Sequence, residues 1–93
     1  MFVVLYALDK PQSLELRLAH RQAHLDYIAK TGVVRAAGPL LAEDGTTMIG
    51  SLIILETDDL AAAKAWAADD PYGKAGLFRV VDIRPWKRVI GSP

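Results

Sequence analysis

The sequence predicts an α+β fold. A four-stranded antiparallel sheet carries two helices on one face, in the chain order β-α-β-β-α-β. Three observations predict it. The stretches FVVLYAL, TTMIGSLIILET and LFRVVDIRPWKRVI are rich in β-branched and aromatic residues. LELRLAHRQAHLDYIAK and DLAAAKAWAAD are helix-forming runs. Turn chemistry separates the runs at DKPQS, Gly38–Pro39, Asp44–Gly45 and Pro71.

Each element follows in order. Residues 2–8 are apolar on both alternating faces and read as a buried strand. Ser13 is the expected N-cap of a helix from Leu14 to Lys30, closed by Gly32 as a C′ residue. A short strand near 33–37 should break at Gly38–Pro39, and a second clear strand should cover about 46–57. Thr57 or Asp58 is the expected cap of the second helix, which Pro71 stops. YGKAG reads as a loop, and Pro85 marks the last strand as an edge or a bulge. Residues 91–93 read as a frayed tail. No repeat or interior linker interrupts the chain, so residues 1–93 are expected to form a single domain.

This order is the split βαβ, or ferredoxin-like, arrangement. Two helices cover only one face of its sheet. Phe2, Val4, Tyr6 and Leu8 alternate with Val3, Leu5 and Ala7 on one strand, and Ile49, Ile53 and Leu55 with Met48, Leu52 and Ile54 on another, so both faces are apolar. A second copy of the same sheet would cover the second face, so a homodimer packed sheet to sheet is expected.

Bulk composition excludes several classes of function. Eleven basic and eleven acidic residues cancel, which removes the electrostatic footprint of a nucleic-acid binder. The local basic cluster RPWKRV reads as solvated cations at a strand end. With no cysteine there is no disulfide, thiolate catalysis or cysteine-ligated metal. No apolar run is long enough to span a bilayer, and MFVVLYAL lacks the basic flank and cleavage site of a signal peptide. A cytoplasmic location with no membrane partner is expected.

RLAHRQAHLDYIAK holds two histidines and two arginines among its leucines. At about 100° per residue, with Leu14 as origin, Leu18, Leu25 and Ile28 form an apolar stripe. Arg21 falls in the middle of that stripe, near −20° on the same wheel. Arg17 and His24 lie on one flank, near −60° and −80°, and His20 turns further toward solvent. A cation in a buried stripe is costly unless it snorkels, pairs with a carboxylate or faces a pocket. Arg21 is therefore the oddity, and Arg17 and His20 read as surface. The i, i+4 histidines could share a metal ion, but Arg21 and Gln22 stand between them and no third ligand is evident. No metal is expected.

DDPYG ends the second helix with two aspartates, where the macrodipole disfavours them. The proline leaves Asp70 few local donors. Either these are solvated acids at a helix stop, or Asp70 is held to orient a cationic group such as His24 or Arg21. Facing helix ends make a His24–Asp70 pair sterically feasible. A carboxylate on one imidazole nitrogen fixes the tautomer and frees the other nitrogen for acid or base work. Ser51, in phase with Ile49 and Ile53, is either a core filler or a hydroxyl lining a pocket.

YALDKPQSLELRLAHRQAHLDYI, RAAGPLL, GSLIILE, LAAAKAWAADDPY and RPWKRV together resemble the YciI-like (YCII-related) family over nearly the whole chain. The resemblance implies a dimer of the dimeric α+β barrel type. It also implies a site built on a histidine and an aspartate, here His24 and Asp70. Arg21 comes from the R-x-x-H pair, Tyr72 from the D-P-aromatic motif, Gly38 and Pro39 from the A-G-P turn, and Ser51 from the G-S strand. His20 matches no motif. A related member looks like a dehydrochlorinase of a chlorinated hydroxyquinol, a substrate that does not transfer to this chain.

The expectation is a small cofactor-free enzyme performing elimination, isomerisation or hydrolysis on a small oxygenated cyclic or aromatic compound. His24 would be the acid or base, oriented by Asp70. Arg21 would bind an anionic oxygen, and Ser51 and Tyr72 would supply polar contacts. The alternatives are a non-catalytic dimer that binds or senses a small ligand, and a structural dimer in which these residues form a buried polar network.

Overall fold

The computed structural model describes residues 1–92; of the expected frayed tail, Pro93 lies outside the described residues. The elements are β1 (Phe2–Asp9), α1 (Leu14–Thr31), β2 (Val34–Leu41), β3 (Met48–Glu56), α2 (Leu60–Asp69), α3 (Pro71–Lys74) and β4 (Phe78–Trp86). The four strands form one antiparallel sheet in the order β2-β3-β1-β4. This is the expected β-α-β-β-α-β order with one added helical turn, α3.

Alternation along the central strands sets the two faces. Val3, Leu5 and Ala7 of β1 are buried beneath the helices, and Leu5 pairs across to Ile53 and Val3 to Leu55 of β3. Ala63, Trp66, Tyr72 and Leu77 complete the core above them. Tyr27 and Trp66 tie α1 to α2: the Tyr27 hydroxyl donates to the Trp66 carbonyl, and the Trp66 indole N–H donates to the Thr31 hydroxyl. The opposite sheet face leaves Tyr6, Leu52 and Val80 exposed.

Several local expectations are corrected. β2 runs unbroken through Gly38 and Pro39. It is an edge strand, where a missing backbone N–H is tolerated; Pro85 sits in the other edge strand, β4, for the same reason. Ser13 precedes α1 but makes no side-chain cap, its hydroxyl bonding to the Pro11 carbonyl instead. Asp59, one residue beyond the expected caps, accepts from the Ala62 N–H at 2.8 Å. Gly32 closes α1 as expected, in the left-handed region with φ 69°, and its N–H reaches the Ile28 carbonyl.

The largest correction concerns α1. Of the expected buried stripe, Leu14, Leu18 and Leu25 are 41%, 53% and 41% exposed, and only Ile28 is partly buried against the core. The buried residues of the helix are Arg17 and His24, on what the wheel read as a flank. The true inward face lies roughly a quarter turn from the leucines on that wheel. The helix can bury polar groups there because each meets a partner from the sheet or from α3.

Candidate active site

Pro71 determines how the site begins. Asp70 precedes it and is held extended, at φ −61° and ψ 130°. It ends α2 and caps α3 at once, its carboxylate accepting from the Tyr72 N–H at 3.2 Å. That N–H, from the first turn of α3, is the one local donor among the described residues, in keeping with the few that the proline leaves. Asp70 is 1% exposed, and its Oδ1 lies 2.7 Å from His24 Nδ1. A carboxylate oxygen accepts, so this contact assigns the proton to Nδ1 and leaves Nε2 outside the bond to Asp70. Asp70 Oδ2 is buried and has no partner among the described residues.

Tyr72 packs flat on His24, with centroids 4.0 Å apart and planes 18° apart. The Arg17 guanidinium lies over the same phenol ring, 4.7 Å from its centroid. Arg17 and His24 are seven residues, about two turns, apart on one helix face, so both can rest on one inserted ring. Burial pushes the Tyr72 hydroxyl above its usual range; the nearby Arg17 and Arg21 charges pull the other way without cancelling the shift. The phenol therefore stays protonated at neutral pH.

Arg17 is the residue of this candidate site that the sequence reading missed. It is 3% exposed, not a surface cation. Its Nε and Nη2 donate to the two Asp9 oxygens at 2.7 and 2.9 Å, and Nη2 also donates to the Ser51 hydroxyl at 2.9 Å. Burial lowers its pKa, but the hydrogen bond and charge of Asp9 more than offset this and leave it raised. The signal was present on the wheel, where Arg17 shares its flank with His24.

These side chains border a cavity of about 150 Å³ between α1 and the β2–β3 half of the sheet. Arg17, Arg21, His24, Leu25 and Ile28 line it from α1, Ala37, Gly38 and Pro39 from β2, Met48, Ser51 and Ile53 from β3, and Tyr72 from α3. Arg21 does not sit in a buried stripe: it is exposed and lines the cavity. His20 lies outside this cavity lining. Arg17 is ion-paired with Asp9 and His24 bonds Asp70, whereas among the described residues Arg21 forms no ion pair. The cavity thus has an apolar wall, one imidazole, two hydroxyls and one uncompensated cation. Among the described residues no three His, Asp or Glu side chains cluster as metal ligands. Among the described residues no helix is long and apolar enough to cross a membrane.

A split βαβ sandwich, two long helices on one face of a four-stranded antiparallel sheet, is a fold shared with solved proteins. Residues 1–87 match the model of the YCII-related domain, and the chain belongs to that family. It is 41% identical over 97 aligned positions to Protein YciI of Escherichia coli, covering 96% of this chain and 99% of that one. An uncharacterised protein of Haemophilus influenzae is 38% identical with the same coverage. Among solved structures, 5-chloro-2-hydroxyhydroquinone dehydrochlorinase of Burkholderia phenoliruptrix, in complex with 2,5-dihydroxybenzoquinone, superposes with a TM-score of 0.83. It is 30% identical, with 94% of each chain covered. An antibiotic biosynthesis monooxygenase, 14% identical with a TM-score of 0.56, shares the fold.

Proposed function

We propose that this protein is a small acid–base enzyme acting on a planar oxygenated ring. The observation that carries the reading is the 2.7 Å His24–Asp70 contact at the wall of a cavity of about 150 Å³. An engineered apolar cavity of roughly that volume admits one benzene-sized ring. The ring-shaped ligand of the dehydrochlorinase relative supports the same substrate class.

In this reading His24 Nε2 takes a proton from the ring or its hydroxyl. The electron pair moves onto a ring oxygen as an enolate or phenolate, or expels a leaving group. Asp70 stabilises the imidazolium so formed and keeps its ring in place. Arg21, which forms no ion pair among the described residues, meets the anionic oxygen. Tyr72 and Ser51 offer hydroxyl groups, and Gly38 and Pro39 form the wall opposite α1. No cofactor is required for this chemistry.

The functional unit we propose is a homodimer. The sheet face bearing Val4, Tyr6, Leu52, Ile54 and Val80 is apolar and half open, and an identical face would cover it.

The test is proton exchange. The protein is incubated with 2,5-dihydroxybenzoquinone or hydroxyhydroquinones in D2O, and deuterium at ring carbons is followed by NMR. Wild type should accelerate exchange, and His24→Gln should lose about a hundredfold or more of that acceleration. Equal rates with wild type and His24→Gln would refute the reading.

A further inference from the structure

Arg17 carries a buried charge that the acid–base step does not use. Asp9 binds it with both carboxylate oxygens, so Arg17 is a poor candidate for holding an anionic substrate. Its remaining contact is the unusual one: Nη2 also donates to Ser51 Oγ at 2.9 Å, in a buried hydrogen bond.

The direction of that bond is fixed by chemistry. A guanidinium has donors and no acceptor, so the Ser51 oxygen must accept. The serine's own proton is then excluded from this bond and points elsewhere. Among the described residues the Ser51 hydroxyl donates to no protein group. Ser51 is 3% exposed and lines the same cavity as His24.

Resting on the ring-binding reading above, we infer that Arg17, held by Asp9, is a positioning residue that aims the Ser51 O–H into the cavity as a donor to an acceptor oxygen of the ligand. The cavity therefore selects a ring carrying a carbonyl or ionised hydroxyl at that place over a hydrocarbon ring of equal size. A ring lacking the oxygen would leave the buried hydroxyl unpaired. The backbone supports the arrangement. Ser51 pairs with Ala7 on β1 and Pro39 on β2, so it is anchored from both neighbouring strands. Asp9, on the same strand as Ala7, fixes the guanidinium.

Two measurements test this. A neutron structure of the free, deuterated protein should place the Ser51 deuteron toward the cavity. A deuteron on Asp9 or on a backbone carbonyl overturns the inference. In calorimetry, Ser51→Ala should bind 2,5-dihydroxybenzoquinone about tenfold more weakly than wild type, the range of one lost hydrogen bond. Its affinity for benzene should instead rise about fivefold or more, because the hydroxyl that benzene leaves unpaired is gone. Arg17→Lys keeps a cation beside Asp9 but loses the fork, and should weaken quinone binding as Ser51→Ala does. The double variant should then bind no more weakly than Ser51→Ala alone, because both changes remove one aimed hydroxyl. Additive losses, or unchanged quinone binding in Ser51→Ala, overturn it. If wild type binds neither ring, the acid–base reading falls, and the deuteron position still decides the direction of the hydroxyl.

Discussion

Asp70→Ala probes the contact on which the site depends. Oδ1 of Asp70 serves two donors, His24 Nδ1 at 2.7 Å and the Tyr72 N–H at 3.2 Å. Truncation orphans the imidazole N–H of a residue that is only 6% exposed, at a cost of about 1–3 kcal/mol. It also removes the cap of α3, worth about 1 kcal/mol. One contribution opposes these: Oδ2 is buried without a partner, and deleting it relieves an unsatisfied group. The net expectation is a loss of about 2 kcal/mol. For a chain of this size that is a fall of roughly 8–16 °C in Tm. Asp70→Asn keeps an oxygen for both donors and loses only the charge, so it should cost about 1 kcal/mol or less. The assay is urea and thermal unfolding by circular dichroism at pH 7 and equal protein concentration, with an unchanged denaturant slope. If Asp70→Ala melts within a degree or two of wild type, or Asp70→Asn is the weaker of the two, the reasoning is wrong.

Three further outcomes are expected. A Cβ at Gly50 would stand 2.2 Å from the Ala7 carbonyl oxygen and 3.1 Å from Leu40 Cδ1. Because the nearer atom is backbone, Gly50→Ala should cost about 2–3 kcal/mol in a chemical melt; a neutral result would mean the β1–β3 pairing gives way freely. Leu52→Lys, on the open sheet face, should shift sedimentation from dimer toward monomer with the fold retained; an unchanged species would place the partner elsewhere. Asp44 is held down to about 2, chiefly by the Thr47 hydroxyl and then by the Thr47 and Thr46 N–H groups. A depressed carboxyl stabilises the β2–β3 turn above the ordinary carboxylate range, and that contribution is lost as pH falls through about 2. Protection of the Thr46 and Thr47 amides should fall only in that window. An NMR titration of Asp44 near 4 would contradict the geometry.

The sequence by itself determined the order of the strands and the two long helices, the ends of α1, and Pro85 as an edge position; Pro39, read as a strand break, is the second edge proline that only the sheet revealed. The features it determined follow from local rules: alternation on strands, a glycine in the left-handed region after a helix, and proline's missing N–H. It also singled out His24 and Asp70. It could not rotate α1 correctly. Leu14, Leu18, Arg21, Leu25 and Ile28 form the more apolar arc, and a wheel ranks faces by apolarity alone. The tertiary structure turned Arg17 and His24 inward instead. Their polarity is satisfied there by Asp9, Ser51 and Asp70, contributed by β1, β3 and the α2–α3 junction. Those partners lie 8, 34 and 46 residues away along the chain. The cost of burying a charge depends on its partners in space, and no helical period within residues 14–31 contains them.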